Sequence, residues 1–360
     1  MKRSFYRRQV PPSRQAALEE KKTSLEELRL RIMNVMLYGA VTVGLIAVIS
    51  NLVTDIPQGN WGVIAVYMVA YAGLLAVTFF RQQAASLARR LTPVVLILGF
   101  GILAALTWRA AFQAPDGRLH VTLLDVGTGD AILIQTPAGR YVLVNGGPSP
   151  ASLSDGLGRR LPLGNRHLDW LVVAGPDNED LSALPSIIAR YPPENVLWAG
   201  PTGGTRAARE LWQSLAAADV PLTRAQPGHR LDLRDGASLK ALTVGSRGAV
   251  LLLEWQSFRM LLPLGLDFES METLQAEYPG PYSALLLAEA GYAPLNPPEW
   301  ITTLQPQVVL LSVGAGNPEN LPSLETLQAL EGYNLLRTDE NGWIEVTTDG
   351  EKVWVEVERK

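Results

Sequence analysis

The sequence predicts a layered α/β domain preceded by three membrane-spanning helices. Short apolar or alternating segments that suit β-strands recur from Leu119 onward, and helix-like segments lie between them. The pieces expected at the two ends of this region pair as antiparallel strands, which is typical of a layered α/β architecture. Before residue 113, three apolar runs each approach the ~20 residues that cross a bilayer core.

Composition excludes several classes of site. The 360 residues are enough for two domains, and the absence of Cys excludes disulfides and thiolate-zinc centres. The three histidines, His120, His167 and His229, are far apart in sequence. Residues 1–112 carry 13 Lys/Arg against 5 Asp/Glu, whereas residues 113–360 carry 18 against 30. The acidic second part disfavours binding of nucleic acid.

Residues 1–31 form a predicted basic cytoplasmic tail. Met1 to Pro12 is expected to be disordered, because it is basic and carries two prolines. Ser24 to Glu27 fits a capping box, so a helix is expected to start near Ser24; the alternative is a solvated charged tail. Charges continue to Arg31 before any apolar run, which excludes a signal-peptide pattern.

Residues 32–112 are predicted to hold three transmembrane helices, at about 32–53, 61–80 and 91–108. The loop 54–60 has no Lys or Arg, and the loop 81–90 has three Arg. The positive-inside rule then places the N-terminus in the cytoplasm and the C-terminal domain outside it. The expected localisation is therefore the cell membrane, multi-pass, with the lipid bilayer as a partner.

Residues 113–360 alternate between predicted strands and helices. The strands are expected at His120–Asp125, Asp130–Gln135, Tyr141–Val144, Leu168–Ala174, Val196–Ala199, near Leu231, Leu239 and Val250, at Arg259–Leu262, Ala284–Leu287, Val308–Ser312, and in a closing hairpin, Gly342–Thr348 and Lys352–Glu358. The helices are expected at Ser152–Arg160, Ser182–Tyr191, Gly204–Ala218, Phe268–Tyr278 and Leu324–Glu331.

Four ordered motifs carry a family resemblance. They are Leu124–Ile134 (LDVGTGDAILI), Asn145–Gly147, Ser312–Asn317 (SVGAGN) and Arg337–Gly342 (RTDENG). Together they resemble the extracellular metallo-β-lactamase-like domain of the ComEC competence-protein family, over most of residues 119–360. The resemblance implies a metallo-β-lactamase-like αββα sandwich for residues 113–360. The polytopic channel of that family is not evident, since only three predicted spans precede the domain.

The metal-binding positions that this resemblance implies are all replaced. The family's THPHADH segment falls on Ala174–Asp180, so that Gly175, Asp177 and Asp180 stand at the histidine positions and Glu179 at the aspartate. The nearest counterpart of the bridging aspartate is Asp267, although its spacing differs. The later HHGS and HPH motifs fall on Glu289–Tyr292 and Leu321–Ser323, so Glu289, Leu321 and Ser323 stand at further ligand positions.

These replacements make zinc an unexpected cofactor. Zinc in such a fold needs imidazole donors to generate a hydroxide near neutral pH, whereas carboxylates favour harder cations. We therefore predict no catalytic residue and no cofactor. An alternative is a Mg²⁺, Mn²⁺ or Ca²⁺ site formed by Asp177, Glu179, Asp180 and Glu289, with Asp267 as a further candidate. The competing interpretation is a decayed site whose open loop tolerates solvated acids.

The functional hypothesis from sequence is a membrane-anchored, catalytically inactive domain with a binding or assembly role at the cell envelope. Its partner would be an unidentified protein or small molecule. One alternative is a metal-dependent hydrolase, such as a phosphodiesterase, that uses the acidic hard-cation site. Another, by resemblance alone, is an accessory factor in DNA uptake. No Ser/His/Asp motif, P-loop or Rossmann fingerprint offers a different active site.

Overall fold

In this computed structural model the described residues are 14–55, 115–162, 166–317 and 319–359, together with six helical positions: Met68, Tyr71, Ala72, Leu75, Gly99 and Gly101. The chain divides into two compact units, Met1–Ala114 and Pro115–Lys360.

The first unit contains one long described helix, α1, which spans Arg14–Asp55. It begins earlier than the capping-box position at Ser24. The Ser24 hydroxyl donates a hydrogen bond to the carbonyl oxygen of Lys21 at 3.2 Å, one turn back along the same helix. Ser24 therefore lies inside α1 and does not cap it, because a cap would accept from a backbone N–H ahead of it.

The predicted transmembrane bundle needs a correction. Among the described residues, no helix has the length and apolar character that crossing a membrane requires. This finding contradicts the three-span bundle and the multi-pass membrane localisation. The helix that contains the first predicted span, 32–53, is continuous with residues 14–31, which carry nine charged side chains, so the apolar run does not delimit the helix. The predicted spans 61–80 and 91–108 fall almost wholly outside the described residues.

The second unit contains two mixed β-sheets. Sheet A has the strand order β15-β14-β1-β2-β3-β4-β5-β6, with antiparallel pairing from β15 to β3 and parallel pairing from β3 to β6. Its strands are β1 Leu119–Leu123, β2 Ala131–Gln135, β3 Tyr141–Asn145, β4 Leu168–Val173, β5 Pro193–Trp198, β6 Leu222–Arg224, β14 Ile344–Thr348 and β15 Val353–Val357.

Sheet B has the order β13-β12-β11-β10-β9-β8-β7. Strands β7 to β10 pair antiparallel, and β10 to β13 pair parallel. Its strands are β7 Arg230–Asp232, β8 Ser238–Gly245, β9 Gly248–Trp255, β10 Phe258–Leu262, β11 Ala284–Leu286, β12 Val308–Leu311 and β13 Leu335–Arg337.

The helices described in the second unit connect these strands. They are α2 Pro150–Arg160, α3 Asn178–Leu181, α4 Leu184–Ile187, α5 Arg206–Ala217, α6 Phe268–Glu277, α7 Pro298–Leu304, α8 Leu324–Ala329 and α9 Thr338–Asn341, with 3₁₀ turns at Glu289–Gly291 and Ala293–Leu295. The single helix predicted at Ser182–Tyr191 is instead two short helices, α3 and α4, because the helical segment begins earlier and Pro185 restarts it.

The buried side chains form three apolar layers. Alternate residues of both sheets, such as Val121 and Leu251, fill the space between the sheets. The opposite face of sheet A packs against helices α2 to α5, and Leu143 of the sheet and Leu211 of α5 belong to this apolar cluster. The opposite face of sheet B packs against α6 to α8. The order helix, sheet, sheet, helix follows from the period-two alternation of each strand. This mixed α/β arrangement is consistent with the predicted αββα sandwich.

Several loops meet at one end of the sandwich. The backbone N–H of Ala249, at the start of β9, donates to the carbonyl oxygen of Ala174, after β4, at 2.7 Å. An ideal Cβ on Gly129 would overlap the carbonyl oxygen of Glu179, so the β1–β2 turn lies against α3. The Ser312 hydroxyl, after β12, donates to the carbonyl oxygen of Gly129 at 2.8 Å. Gly175, Glu179, Asp180 and Glu289, which the family resemblance pairs with metal ligands, lie in or beside these loops.

Candidate functional site

Gly175 stands where the resemblance places the first histidine, and the structure leaves no room there for a larger side chain. An ideal Cβ on Gly175 would overlap Oδ2 of Asp180 and would lie 3.5 Å from Nδ2 of Asn145. The first of these approaches is closer than any non-bonded contact that folded chains accept. The carboxyl of Asp180 therefore occupies the space that a ligand side chain at position 175 would need.

Asp180 is buried and serves as a link between loops. Its Oδ1 accepts a hydrogen bond from the backbone N–H of Asp130 at 2.8 Å. Its own carbonyl oxygen accepts from the N–H of Gly146 at 2.8 Å. Asp180 thus joins α3 to the start of β2 and to the segment after β3, which is a structural task.

Asp180, which is buried, and Asp130, which is partly buried, form a pair of neighbouring carboxyls. Burial raises the pKa of Asp130 to about 7; the nearby Ser312 hydroxyl works in the opposite direction, and the charge of Glu289 adds to the rise. Burial, followed by the charge of Asp130, raises the pKa of Asp180 well above its ordinary value. Two neighbouring carboxyls in such an environment do not both ionise readily near neutral pH. In the metal-free protein the pair therefore carries less than its full negative charge near neutral pH.

Asn145 presents a donor to the same place. Its side chain is fully buried, and its Oδ1 accepts from the N–H groups of Ala174 at 2.8 Å and Gly175 at 3.2 Å. Those two bonds orient the amide, so that Nδ2 lies beside Gly175 and has no hydrogen-bond partner among the described residues. An N–H donor repels a cation, so the residues around Gly175 do not fit zinc.

Two further acidic residues, Asp177 and Glu179, lie at the start of helix α3. Asp177 and Glu179 are exposed; Asp177 is the N-cap residue of α3 but makes no side-chain capping bond. Partial burial raises the pKa of Glu179, and the charges of Glu319, Glu289 and Asp177 raise it further. These carboxylates therefore lie close enough to interact through space.

Asp267, Glu289 and Ser323 each bind a protein group. Asp267 caps α6, since its Oδ1 accepts from the N–H of Ser270 at 2.8 Å. Glu289 forms an ion pair with Arg247, in the β8–β9 turn. The Ser323 hydroxyl donates to the carbonyl oxygen of Gly291 at 3.0 Å. Each of these side chains is therefore engaged within the fold.

Within the described ranges, no group of three or more His, Asp or Glu side chains is arranged to hold a metal ion. The four candidates for a hard-cation site, Asp177, Glu179, Asp180 and Glu289, therefore do not come together as one such group. Asp180 faces the interior toward Asp130, whereas Glu289 faces Arg247.

A cavity of about 280 Å³ opens at this loop end. Its walls combine acidic, basic and large apolar side chains: Arg247, Asp267, Phe268, Glu289, Tyr292, Leu295, Glu319 and Leu321. Sequence analysis singles out Asp267, Glu289 and Leu321 but misses Arg247, Phe268, Tyr292 and Glu319. A charged residue in the short turn between two predicted strands is the only sequence signal that points to Arg247.

The loop that supplies Glu289 and Tyr292 is held in a strained conformation. Three successive residues, Glu289, Ala290 and Gly291, have positive φ angles of 45°, 47° and 81°. The buried side-chain amide of Asn296 secures the loop: it accepts from the N–H of Ala288 at 3.0 Å and donates to the carbonyl oxygens of Ala288 and Tyr292 at 2.9 and 2.8 Å. Strain of this kind persists only where surrounding contacts enforce it.

No protein-family model matches the chain, and no curated protein matches it. Among solved structures it is similar to Zn²⁺-bound PqqB from Methylobacterium extorquens, with 13% identity, a TM-score of 0.45, and coverage of 61% of this chain and 97% of that one. It is also similar to CmlA, a diiron β-hydroxylase from Streptomyces venezuelae, with 14% identity, a TM-score of 0.41, and coverage of 61% and 52%.

A third similar structure is a mutant of the flavo di-iron protein from Thermotoga maritima, with 13% identity, a TM-score of 0.33, and coverage of 58% and 62%. The chain thus spans about half the length of CmlA. Identities and TM-scores this low carry no argument about function, and they do not show the ComEC family. The fold of this chain is read from its own layers and strand order.

Proposed function

We propose that the unit Pro115–Lys360 is a non-catalytic binding domain, a ComEC-like αββα sandwich without a metal centre, which binds its ligand in the cavity at the loop end. The observation that carries this proposal is the contact between Gly175 and Asp180. The carboxyl of Asp180 fills the space of the first ligand side chain and is itself bonded to the backbone of Asp130. A metal-dependent hydrolytic centre needs a metal ion with an open coordination position, and the residues around Gly175 do not provide donors to hold one.

The proposed ligand site is the cavity at the loop end of the sandwich, and Gly175 and Asp180 are not among the residues that line it. The cavity has an ion pair, further carboxylates and exposed aromatic side chains, which is the mixture of apolar wall and few polar groups that small-molecule sites show. The side chains of Asn296 and Ser323 donate hydrogen bonds to the backbone of the loop that lines the cavity, at Tyr292 and Gly291. Because these bonds fix the loop, we infer that the cavity is preformed. A preformed wall lowers the entropic cost of binding.

The proposal is tested with the full-length protein. Metal content is measured by mass spectrometry after dialysis against Zn²⁺, Mn²⁺ or Mg²⁺, and hydrolysis is followed with DNA, a chromogenic phosphodiester and a β-lactam. We expect substoichiometric metal and no turnover with any ion. Turnover with Mn²⁺ or Mg²⁺ that Asp177→Ala abolishes, and that the distant exposed variant Glu194→Ala retains, would establish the hydrolase alternative instead.

A further inference from the structure

We propose that the cavity lined by Arg247, Asp267, Phe268, Glu289 and Glu319 binds an alkyl guanidinium group, either as a free compound or as an arginine side chain of a peptide. This inference rests on the proposed binding function and specifies the chemistry of the ligand. It is carried by the charge balance of the cavity, by the guanidinium that the protein already holds there, and by the exposed aromatic side chains of its walls.

The charged side chains that line the cavity are mostly acidic. Three carboxylates, Asp267, Glu289 and Glu319, line the cavity against one guanidinium, that of Arg247. Arg247 pairs with Glu289, so Asp267 and Glu319 remain without a cationic partner among the described residues that line the cavity. Asp267 uses one oxygen to cap α6, and its Oδ2 faces Gly245 at 3.5 Å from an ideal Cβ there. A cationic ligand therefore meets a net attractive potential.

The second step is the internal guanidinium itself. Arg247 extends from the short turn between β8 and β9 and places its Nη2 against Oε1 of Glu289. The cavity thus already accommodates the planar donor group that matches a carboxylate. Both partners are partly exposed, with 45% and 38% of their side chains accessible. An exposed pair of this kind is weak, so a ligand can share or displace the guanidinium of Arg247.

The third step concerns the aromatic walls. Phe268 and Tyr292 line the cavity and are 60% and 47% exposed, so both aromatic side chains are accessible to a ligand there. Aromatic faces attract guanidinium groups through the ring quadrupole. This protein uses that contact elsewhere: the guanidinium carbon of Arg160 lies 4.5 Å from the ring centre of Trp343, and that of Arg259 lies 4.5 Å from Tyr282.

The test titrates the full-length protein by calorimetry with Nα-acetyl-arginine amide. The matched neutral ligand is the corresponding citrulline amide, which has nearly the same shape without the charge. We expect saturable binding of the arginine compound, weakened by salt, and at least about tenfold weaker binding of the citrulline compound. Butylguanidine, tested beside it, separates recognition of the side chain alone from recognition of a peptide unit. Equal binding of the arginine and citrulline compounds, or none by either, would overturn the proposal.

Variants identify the cavity as the site. Phe268→Ala and Glu319→Gln are each expected to weaken binding by about threefold or more, and the exposed control Glu299→Gln, on α7, should leave it unchanged. Arg247→Met removes the internal competitor and is expected to strengthen binding of the arginine compound. If Arg247→Met instead abolished binding, or if Nα-acetyl-glutamate amide bound in its place, the cavity would be an anion site and the proposal wrong.

The metal and hydrolysis measurements remain independent of this titration. A protein that binds no metal and shows no turnover, yet ignores the arginine compound, keeps the binding-domain proposal and loses the ligand assignment. A protein that hydrolyses substrate with Mn²⁺ loses the binding-domain proposal whatever the titration shows.

Discussion

Two groups of charged side chains in the second unit are built in opposite ways. The paired cluster, His120, Asp116, Glu345 and Arg160, lies beside β1 and β14 and alternates positive and negative partners. His120 contacts Asp116 at 3.0 Å and Glu345 at 2.9 Å, and Arg160 lies 3.9 Å from Glu345. The acid-rich end comprises Asp130, Asp180, Asp267, Glu289 and Glu319. Among the described residues that line its cavity, Arg247 is the only cation.

The difference distinguishes charged groups that stabilise the folded state from charged groups that do not. In the paired cluster the hydrogen bonds between His120 and its carboxylate partners favour the charged forms of His120 and Glu345, whereas burial lowers the pKa of Arg160. In the acid-rich end burial and like charge raise carboxyl pKa values, which costs stability near neutral pH. Proteins retain costly groups of this kind mostly at sites of function. Three predictions test that contrast.

The largest expected effect concerns Gly175, which lies beside the carboxyl of Asp180. Gly175→Ala places a methyl group against Oδ2 of Asp180 and breaks the link from Asp180 to Asp130. We expect a loss of about 2–3 kcal/mol in the free energy of unfolding, measured with urea. Gly203→Ala is the control, because an added Cβ there meets nothing within 4 Å, and it should change stability by less than about 0.5 kcal/mol. Equal values for the two variants would contradict the crowding at position 175.

The second prediction concerns pH and Asp130. Its pKa is about 7 in the folded state against an ordinary 3.8, so the folded protein holds a proton that the unfolded chain releases in this window. The stabilising contribution is therefore complete below pH 3.8 and is lost as the pH rises through about 7. Asp130→Asn should reduce the fall in unfolding free energy between about pH 5 and about pH 8. An unchanged pH slope in the variant would show that the carboxyl is already ionised at neutral pH.

The smallest effect is expected in the paired cluster. Burial alone would lower the pKa of His120, but its hydrogen bonds to Glu345 and Asp116 outweigh burial and raise it above 6.5. The bond to His120 in turn lowers the pKa of Glu345 below 4.5, against the opposing effect of burial. The histidine contribution is present below pH 6.5 and lost above the raised pKa, and the glutamate contribution is lost as the pH falls through its lowered value.

Glu345→Gln is therefore expected to cost about 1 kcal/mol at about pH 5.5 and less at about pH 8.5, measured by urea unfolding. Glu194→Gln, an exposed change on strand β5 of the same sheet, provides the control. A cost that stays constant over this pH range would mean that His120 is neutral throughout.

Much of the layered fold is accessible from sequence because it depends on local patterns. The short apolar runs of β1 to β3 and the Asp349-Gly350 turn of the closing hairpin indicate strands without knowledge of their neighbours. Sequence analysis misses the three-residue strands β6 and β13, since both are partly exposed and too short to show a period. It misses helix α7 because two prolines precede the apolar residues of that helix.

The site is less accessible because its contacts join distant residues. The family resemblance pairs position 175 with a histidine, but the crowding of this position by Asp180 depends on the orientation that the Asp130 backbone gives to that carboxyl. The pairing of Arg247 with Glu289 joins residues from two different loops of sheet B. The prediction of three membrane spans is wrong, because no helix among the described residues is long and apolar enough to cross a membrane. The apolar run at 32–53 reports local composition only, whereas the described helix α1 also includes a charged segment.

The bonds of Asn296 have a consequence for how this protein can change over time. They reach only backbone atoms, the N–H and carbonyl of Ala288 and the carbonyl of Tyr292. The path of the loop is therefore largely independent of the side chains that it presents at Glu289 and Tyr292. New ligand preferences can arise by exchanging those side chains on an unchanged backbone, which makes this loop a natural place to begin redesigning the protein's selectivity.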